Sequence, residues 1–181
     1  MKSLVVGSVV AAVAMFFWGF LVWGVSPFPY QVLKPVADVP ALQQALKATL
    51  PETGVYLFPH PSQGPEEELQ KKVSEGAFGR VVFVREGATM GGATFGLGYL
   101  HNLVTALLLA LLVRQAGGVT YGARLGTVVL AGLAGAIYSN LGKPIWYFDP
   151  WGAHVLDFAY DLSSYVVAGL VLAKLVKPEG R

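Results

Sequence analysis

The 181-residue chain contains no cysteine. That absence removes disulfides, thiolate metal sites, Cys-ligated iron–sulfur clusters, covalent c-type haem and thiol nucleophiles. Charge is scarce as well. Asp, Glu, Lys and Arg make up 13% of the residues, against about 25% in soluble domains. The net charge of +2 is too small for a nucleic-acid partner. The 22 glycines and 11 prolines have no period, so collagen and low-complexity disorder are excluded. No nucleophile elbow, HExxH helix, kinase signature or Gly-x-Ser with a distant histidine is present. An enzyme is therefore not expected, and neither is a cofactor. What remains is apolar: 54% of the residues belong to the AVILMFWYC set, and the mean hydropathy is +0.55. That balance excludes a water-soluble globule and points to an α-helical integral membrane protein.

Four segments are long and apolar enough to cross about 30 Å of hydrocarbon: residues 4–25, 94–113, 124–141 and 153–176. The third is the shortest, with an apolar core at 125–138. The first could be a signal peptide, but Pro27 comes directly after the cleavable stretch Gly24-Val25-Ser26 and the apolar run is long, so an anchor (1–25) is expected. Orientation is set by basic residues in short loops. With the N-terminus inside, Lys2, Arg114, Arg124, Lys174, Lys177 and Arg181 collect on the cytoplasmic side, and the short outer loop holds only Lys143. The long loop, with six basic and seven acidic residues, translocates largely regardless of charge. The expected layout is a span at 1–25, an extracytoplasmic α+β cap at 26–91, a three-helix region at 92–177 and a cytoplasmic tail at 178–181.

The cap pattern is specific. Asp38 or Val39 caps a helix with Pro40 in its first turn, running to Thr49. Pro51 and Gly54 frame a strand over 54–58, and Pro65-Glu66-Glu67-Glu68 opens a second helix that Gly76 closes. A second strand is expected over 80–86. So thin a core should lean on the spans, on another copy or on another subunit. Trp18, Trp23, Trp146 and Trp151 fall near the outer ends of the spans, with Tyr30, Tyr147 and Phe148 extending the girdle. The dense run Trp146, Tyr147, Phe148 and Trp151 also suits a docking surface. Gly92-x-x-x-Gly96, Gly122-x-x-x-Gly126 and Ala131-x-x-x-Gly135 fit close helix packing.

The informative residues are ionisable groups inside the spans. His154, Asp157 and Asp161 share one face of the fourth span, bordered by Phe158, Ser164 and Tyr165. His101, Asn102 and Thr105 lie on the second. His101 and Asp161 sit at nearly equal depth, about 4 and 6 Å outward of their span centres at 1.5 Å per residue, so they are expected to pair. An unpaired aspartate there costs about 2.5–3.5 kcal/mol; Asn102, Tyr138, Ser139 and Asn140 are further groups able to satisfy it. A bis-histidine haem is disfavoured, because His154 lies about 16 Å outward of its span centre against about 4 Å for His101; a single axial histidine at His101 stays open for a haem or chlorin, although a packing histidine is the commoner case. His60, in Phe58-Pro59-His60-Pro61, reads as a surface turn without a second histidine to complete a metal site.

The segment Leu50-Pro51-Glu52-Thr53-Gly54-Val55-Tyr56-Leu57-Phe58-Pro59, after a Trp-rich anchor and before three spans, resembles a group of small uncharacterised bacterial inner-membrane proteins with an outer LPxxGVYxxP-type segment. The resemblance implies a multi-pass protein of the bacterial cytoplasmic membrane with both termini inside, and carries no catalytic role. The expected function is that of an accessory or scaffold subunit of a larger membrane assembly, respiratory or photosynthetic for example. Its partners would be the lipid bilayer and other subunits, or further copies of itself. The competing reading is a small oligomeric transporter or proton relay using His101, Asp157 and Asp161.

Overall fold

The computed structural model describes residues 2–177, so the expected tail at 178–181 lies outside the described residues. The chain divides into two compact units, one formed by the residues up to Lys34 and from Gly91 onward, the other by Pro35–Met90. Residues 26–34, expected in the cap, belong to the helical unit: the short helix α2 (Phe28–Val32) buries Pro29 and packs on the last long helix.

The helical unit holds four stretches long and apolar enough to cross a membrane: Lys2–Val25, Gly92–Gln115, Tyr121–Trp146 and Trp151–Leu175. The first is α1 (Lys2–Phe20) continued by a π-helical turn, Leu21–Val25. The second is α5 (Gly92–Gln115). The third is longer than its apolar core suggests, because α6 (Tyr121–Ala136) runs through a second π turn, Ile137–Leu141, into α7 (Gly142–Trp146). The fourth is α8 (Trp151–Leu175).

Helix α8 packs against both α1 and α6, and α5 packs chiefly on α1. Small residues set these approaches. Ala11 and Ala12 on α1, Ala106 and Ala110 on α5, and Ala168 on α8 are fully buried. A methyl on Gly7 would lie 2.8 Å from Val176, and one on Gly169 would lie 2.8 Å from Leu125 and 3.3 Å from Val128. A methyl on Gly132 would collide with Cβ and Cγ of Tyr165. Of the three expected stripes, the one ending at Gly135 faces α8, where an added Cβ would lie 3.8 Å from the Tyr165 hydroxyl, but around Gly92, Gly96, Gly122 and Gly126 it would meet nothing within 4 Å. The i, i+4 spacing fixes a face of a helix but not the neighbour it meets, so these four glycines line open faces. At the far end Thr120 caps α6 by accepting from the Ala123 amide (3.1 Å). Arg124 donates to the Ala173 carbonyl of α8 at 2.7 Å, satisfying one of the acceptors that a helix end leaves unpaired.

In the second unit Asp38 caps α3 (Val39–Thr49) by accepting from the Ala41 amide at 2.9 Å, as its position before Pro40 predicts. Strand β1 (Gly54–Phe58) pairs antiparallel with β2 (Gly79–Phe83), matching Gly54 with Phe83 and Phe58 with Gly79. Between them lies α4 (Glu66–Glu75), with acids in its first turn and Gly76 at its C-cap. Strand β2 is shorter than the expected 80–86. Beyond Phe83 the Arg85 amide donates to the Thr53 hydroxyl (3.0 Å), and a turn closes between Val84 and Gly87, whose φ is +79°. The Arg85 guanidinium donates to the carbonyls of Lys47 (2.9 Å) and Leu50 (2.7 Å), fastening the end of α3 to the strand pair. Among the described residues of this unit, Phe83 alone is buried.

This packing separates two kinds of glycine. Gly132→Ala should destabilise the helical unit by about 1–3 kcal/mol, the range for overpacking. Gly126→Ala should be neutral or stabilise by up to about 1 kcal/mol through helix propensity; unfolding in mixed micelles, monitored by circular dichroism, distinguishes the two. Arg85→Ala should lose about 1.5–3 kcal/mol, the scale of hydrogen bonds from a charged donor, and a denaturant titration of the Pro35–Met90 signals would read it.

Candidate functional site

Polar groups gather along the N-terminal half of α8. The turn ahead of the helix contains Phe148 with φ 56°, a left-handed conformation uncommon for a bulky residue, and then Asp149 and Pro150. That turn brings the Asp149 carboxylate back over the first turn of α8, where its Oδ2 lies 3.0 Å from Nε2 of His154. His154 is only 8% exposed. Its other ring nitrogen, Nδ1, is buried, has no hydrogen-bond partner among the described residues and lies 3.8 Å from Oδ2 of Asp157. Asp157 is a half-exposed carboxylate, 39% accessible at its side chain.

One turn further along, Asp161 accepts a 2.7 Å hydrogen bond from Nδ2 of Asn140. The π turn of the third span supplies that donor. An i→i+5 turn inserts an extra residue and rotates the helix beyond it, a feature frequent at functional sites. Here it holds Asn140 buried against α8, its Nδ2 also donating to the Ala136 carbonyl (3.2 Å) and Ser139 Oγ (3.1 Å). Asp161 lies two residues from the middle of α8, about 3 Å along the axis.

His101 is not part of this set. It is exposed on α5, and Asp161 pairs with Asn140 instead. Both residues lie within about 4 Å of the middle of their helices, but α5 turns against α1, which leaves the His101 face of α5 open. Asn102 is half-buried on α5, and Thr105 bonds the His101 carbonyl at 3.0 Å. Ser164 is buried and donates to the Tyr160 carbonyl (2.9 Å), and Tyr165 packs over Gly132.

The tryptophans split into two kinds. Trp18 donates to Ser163 Oγ at 2.9 Å, and Trp23 meets Tyr160 edge-to-face at 5.5 Å, so both join α1 to α8. Trp146 and Phe148 are 78% and 75% exposed, and Tyr147, Trp151 and Tyr138 are exposed beside them. His60 caps the turn Pro61–Gln63: its Nδ1 accepts from the Ser62 amide (3.2 Å) and its amide donates to Gln63 Oε1 (3.0 Å). Among the described residues no three His, Asp or Glu side chains converge as a metal site would require.

No family model, curated protein or solved structure matches the chain.

The Asn140–Asp161 bond gives a direct test of this arrangement. In a double-mutant cycle, Asn140→Ala and Asp161→Ala should couple by about 0.6–1.7 kcal/mol, the range for interhelical hydrogen bonds in membranes. The His101→Ala and Asp161→Ala pair should show none, as read by unfolding in bicelles.

Proposed function

We propose that the chain is a non-catalytic accessory or scaffold subunit of a larger bacterial membrane assembly. It would be a multi-pass protein of the cytoplasmic membrane with both termini inside and residues 26–91 extracytoplasmic. The observation that carries this reading is the open face of α5. His101 is exposed there about 4 Å from the middle of the helix. In hydrocarbon an ionisable group at that depth is costly and almost always faces protein or water. The same helix carries Gly92 and Gly96, and α6 carries Gly122 and Gly126, each with open space where a neighbour's side chains would fit. Small residues on open faces let a partner helix approach closely, and a polar group among them gives it something to bond. The exposed Trp146 and Trp151 add rigid aromatic surface of the kind enriched at interfaces.

Extraction in mild detergent from the native membrane, then cross-linking and mass spectrometry, should recover a different protein in fixed stoichiometry. Gly96→Phe, at a position where an added Cβ meets no atom of its own chain within 4 Å, should abolish that recovery while leaving the helical signal unchanged. A lone monomer or a pure homo-oligomer would overturn the reading.

A further inference from the structure

A buried imidazole held between two carboxylates is an arrangement that packing alone does not require. Leaving a buried ring nitrogen without a partner is costly, and Nδ1 of His154 has none among the described residues. Its nearest polar neighbour is the Asp157 carboxylate at 3.8 Å, while Nε2 is engaged by Asp149 at 3.0 Å. A proton carrier needs this two-sided contact, one nitrogen taking a proton as the other releases one.

We propose that Asp149, His154 and Asp157 form a proton-transfer chain that serves Asp161 from the end of the bundle carrying Trp151. In the transfer, Nε2 of a neutral imidazole accepts the proton of the Asp149 carboxyl while Nδ1 releases its own to the Asp157 carboxylate. One proton has then moved inward, and the imidazole has changed tautomer and is reset by a ring flip. The 3.8 Å gap closes through a small side-chain rotation or one water, both normal for proton transfer outside the working state. From Asp157 the proton reaches Asp161, one turn or about 6 Å along the helix, where Asn140 positions the receiving carboxyl.

Other titratable groups surround these residues, Tyr160 and Tyr165 on α8 itself among them. On the elements packed against α8, Tyr138 of the π turn and Tyr30 of α2 are exposed, Lys143 of α7 is half-buried, and Tyr147 is exposed in the connecting turn. Helix α1 faces this half of α8 with Trp18 and Trp23, and α5 contributes His101 on its open face. Arg124 and Tyr121 of α6 bond to α8 at its other end, at Ala173 and Leu170.

The test is hydrogen–deuterium exchange of the Asp161 carboxyl, read by infrared spectroscopy on the full chain in phosphatidylcholine–phosphatidylglycerol nanodiscs. The pH is lowered until the acid form is populated. Loss of a carboxylic C=O band in Asp161→Asn assigns the signal. His154→Gln and Asp157→Asn should keep the band and slow its exchange by roughly 100-fold, the scale of a positioned proton carrier. His101→Gln should leave the rate unchanged. Exchange as fast as wild type in both His154→Gln and Asp157→Asn, or no assignable Asp161 band at any pH, would overturn the proposal. Should His154→Gln fail to fold, Asp157→Asn and Asp149→Asn carry the same comparison. The readout needs no partner protein, so it stands or falls apart from the subunit reading.

Discussion

Everything in the helical unit depends on how closely α8 approaches α1 and α6. The contact surfaces are glycine and alanine: Gly7 and Ala11 on α1, Gly132 on α6, Ala168 and Gly169 on α8. Between helices in lipid there is no hydrophobic gain from leaving water, so association rests on van der Waals contact and interhelical hydrogen bonds. Both need short distances. Tyr165 occupies the space that Gly132 vacates, which fixes the rotation of α8 relative to α6. With that rotation set, Asp161 faces the π turn of the third span and meets Asn140. The polar ladder is thus a consequence of small-residue packing along the same helix.

The π turns have a matching role. Each sits near the end of the bundle that carries the tryptophans, Leu21–Val25 after α1 and Ile137–Leu141 after α6. The second carries Asn140 inward, burying it while Tyr138 and Ser139 stay exposed. It also continues into α7, so the connection to α8 is a tight turn and not a loop. That turn, with Phe148 in a left-handed conformation, returns Asp149 onto His154. A one-residue change in helical phase and one strained turn therefore place the two ends of the ladder.

Span positions, the Asp38 cap and both short strands were legible in the sequence because each depends on local chemistry: apolar length, capping geometry and turn residues. Position along each helix was legible too, since rise per residue is constant. Azimuth was not. His101 and Asp161 each lie near the middle of a helix, but those helices turn toward different neighbours, a property of side-chain packing. The same limit misassigned the glycines: Gly96 and Gly132 look alike in sequence, and only the facing Tyr165 separates them. The part of Asp149 was missed because it lies outside the apolar span, and a chain reversal at Phe148 leaves no pattern that periodicity can reveal. Arg85 was hidden for a related reason. It continues a β-rich run, yet its guanidinium serves carbonyls at the end of a helix far back in the chain, 35 and 38 residues earlier.

The polar ladder stops halfway. Beyond Asp161, Ser163 and Ser164 both turn back to the Tyr160 carbonyl, at 2.8 and 2.9 Å, and Tyr165, packed over Gly132, is the last polar side chain of this half. From Val166 to Ala173 the helix carries only apolar side chains and glycine. A proton delivered to Asp161 on the proposed path therefore has no further acceptor on that stretch of α8. His101 lies at a comparable depth, but on the open face of α5. The open faces on α5 and α6 are where the proposed subunit would sit. The proposed relay and the proposed subunit role rest on different residues, and a helix laid on the His101 face of α5 would bring new side chains to the level at which the proposed path ends.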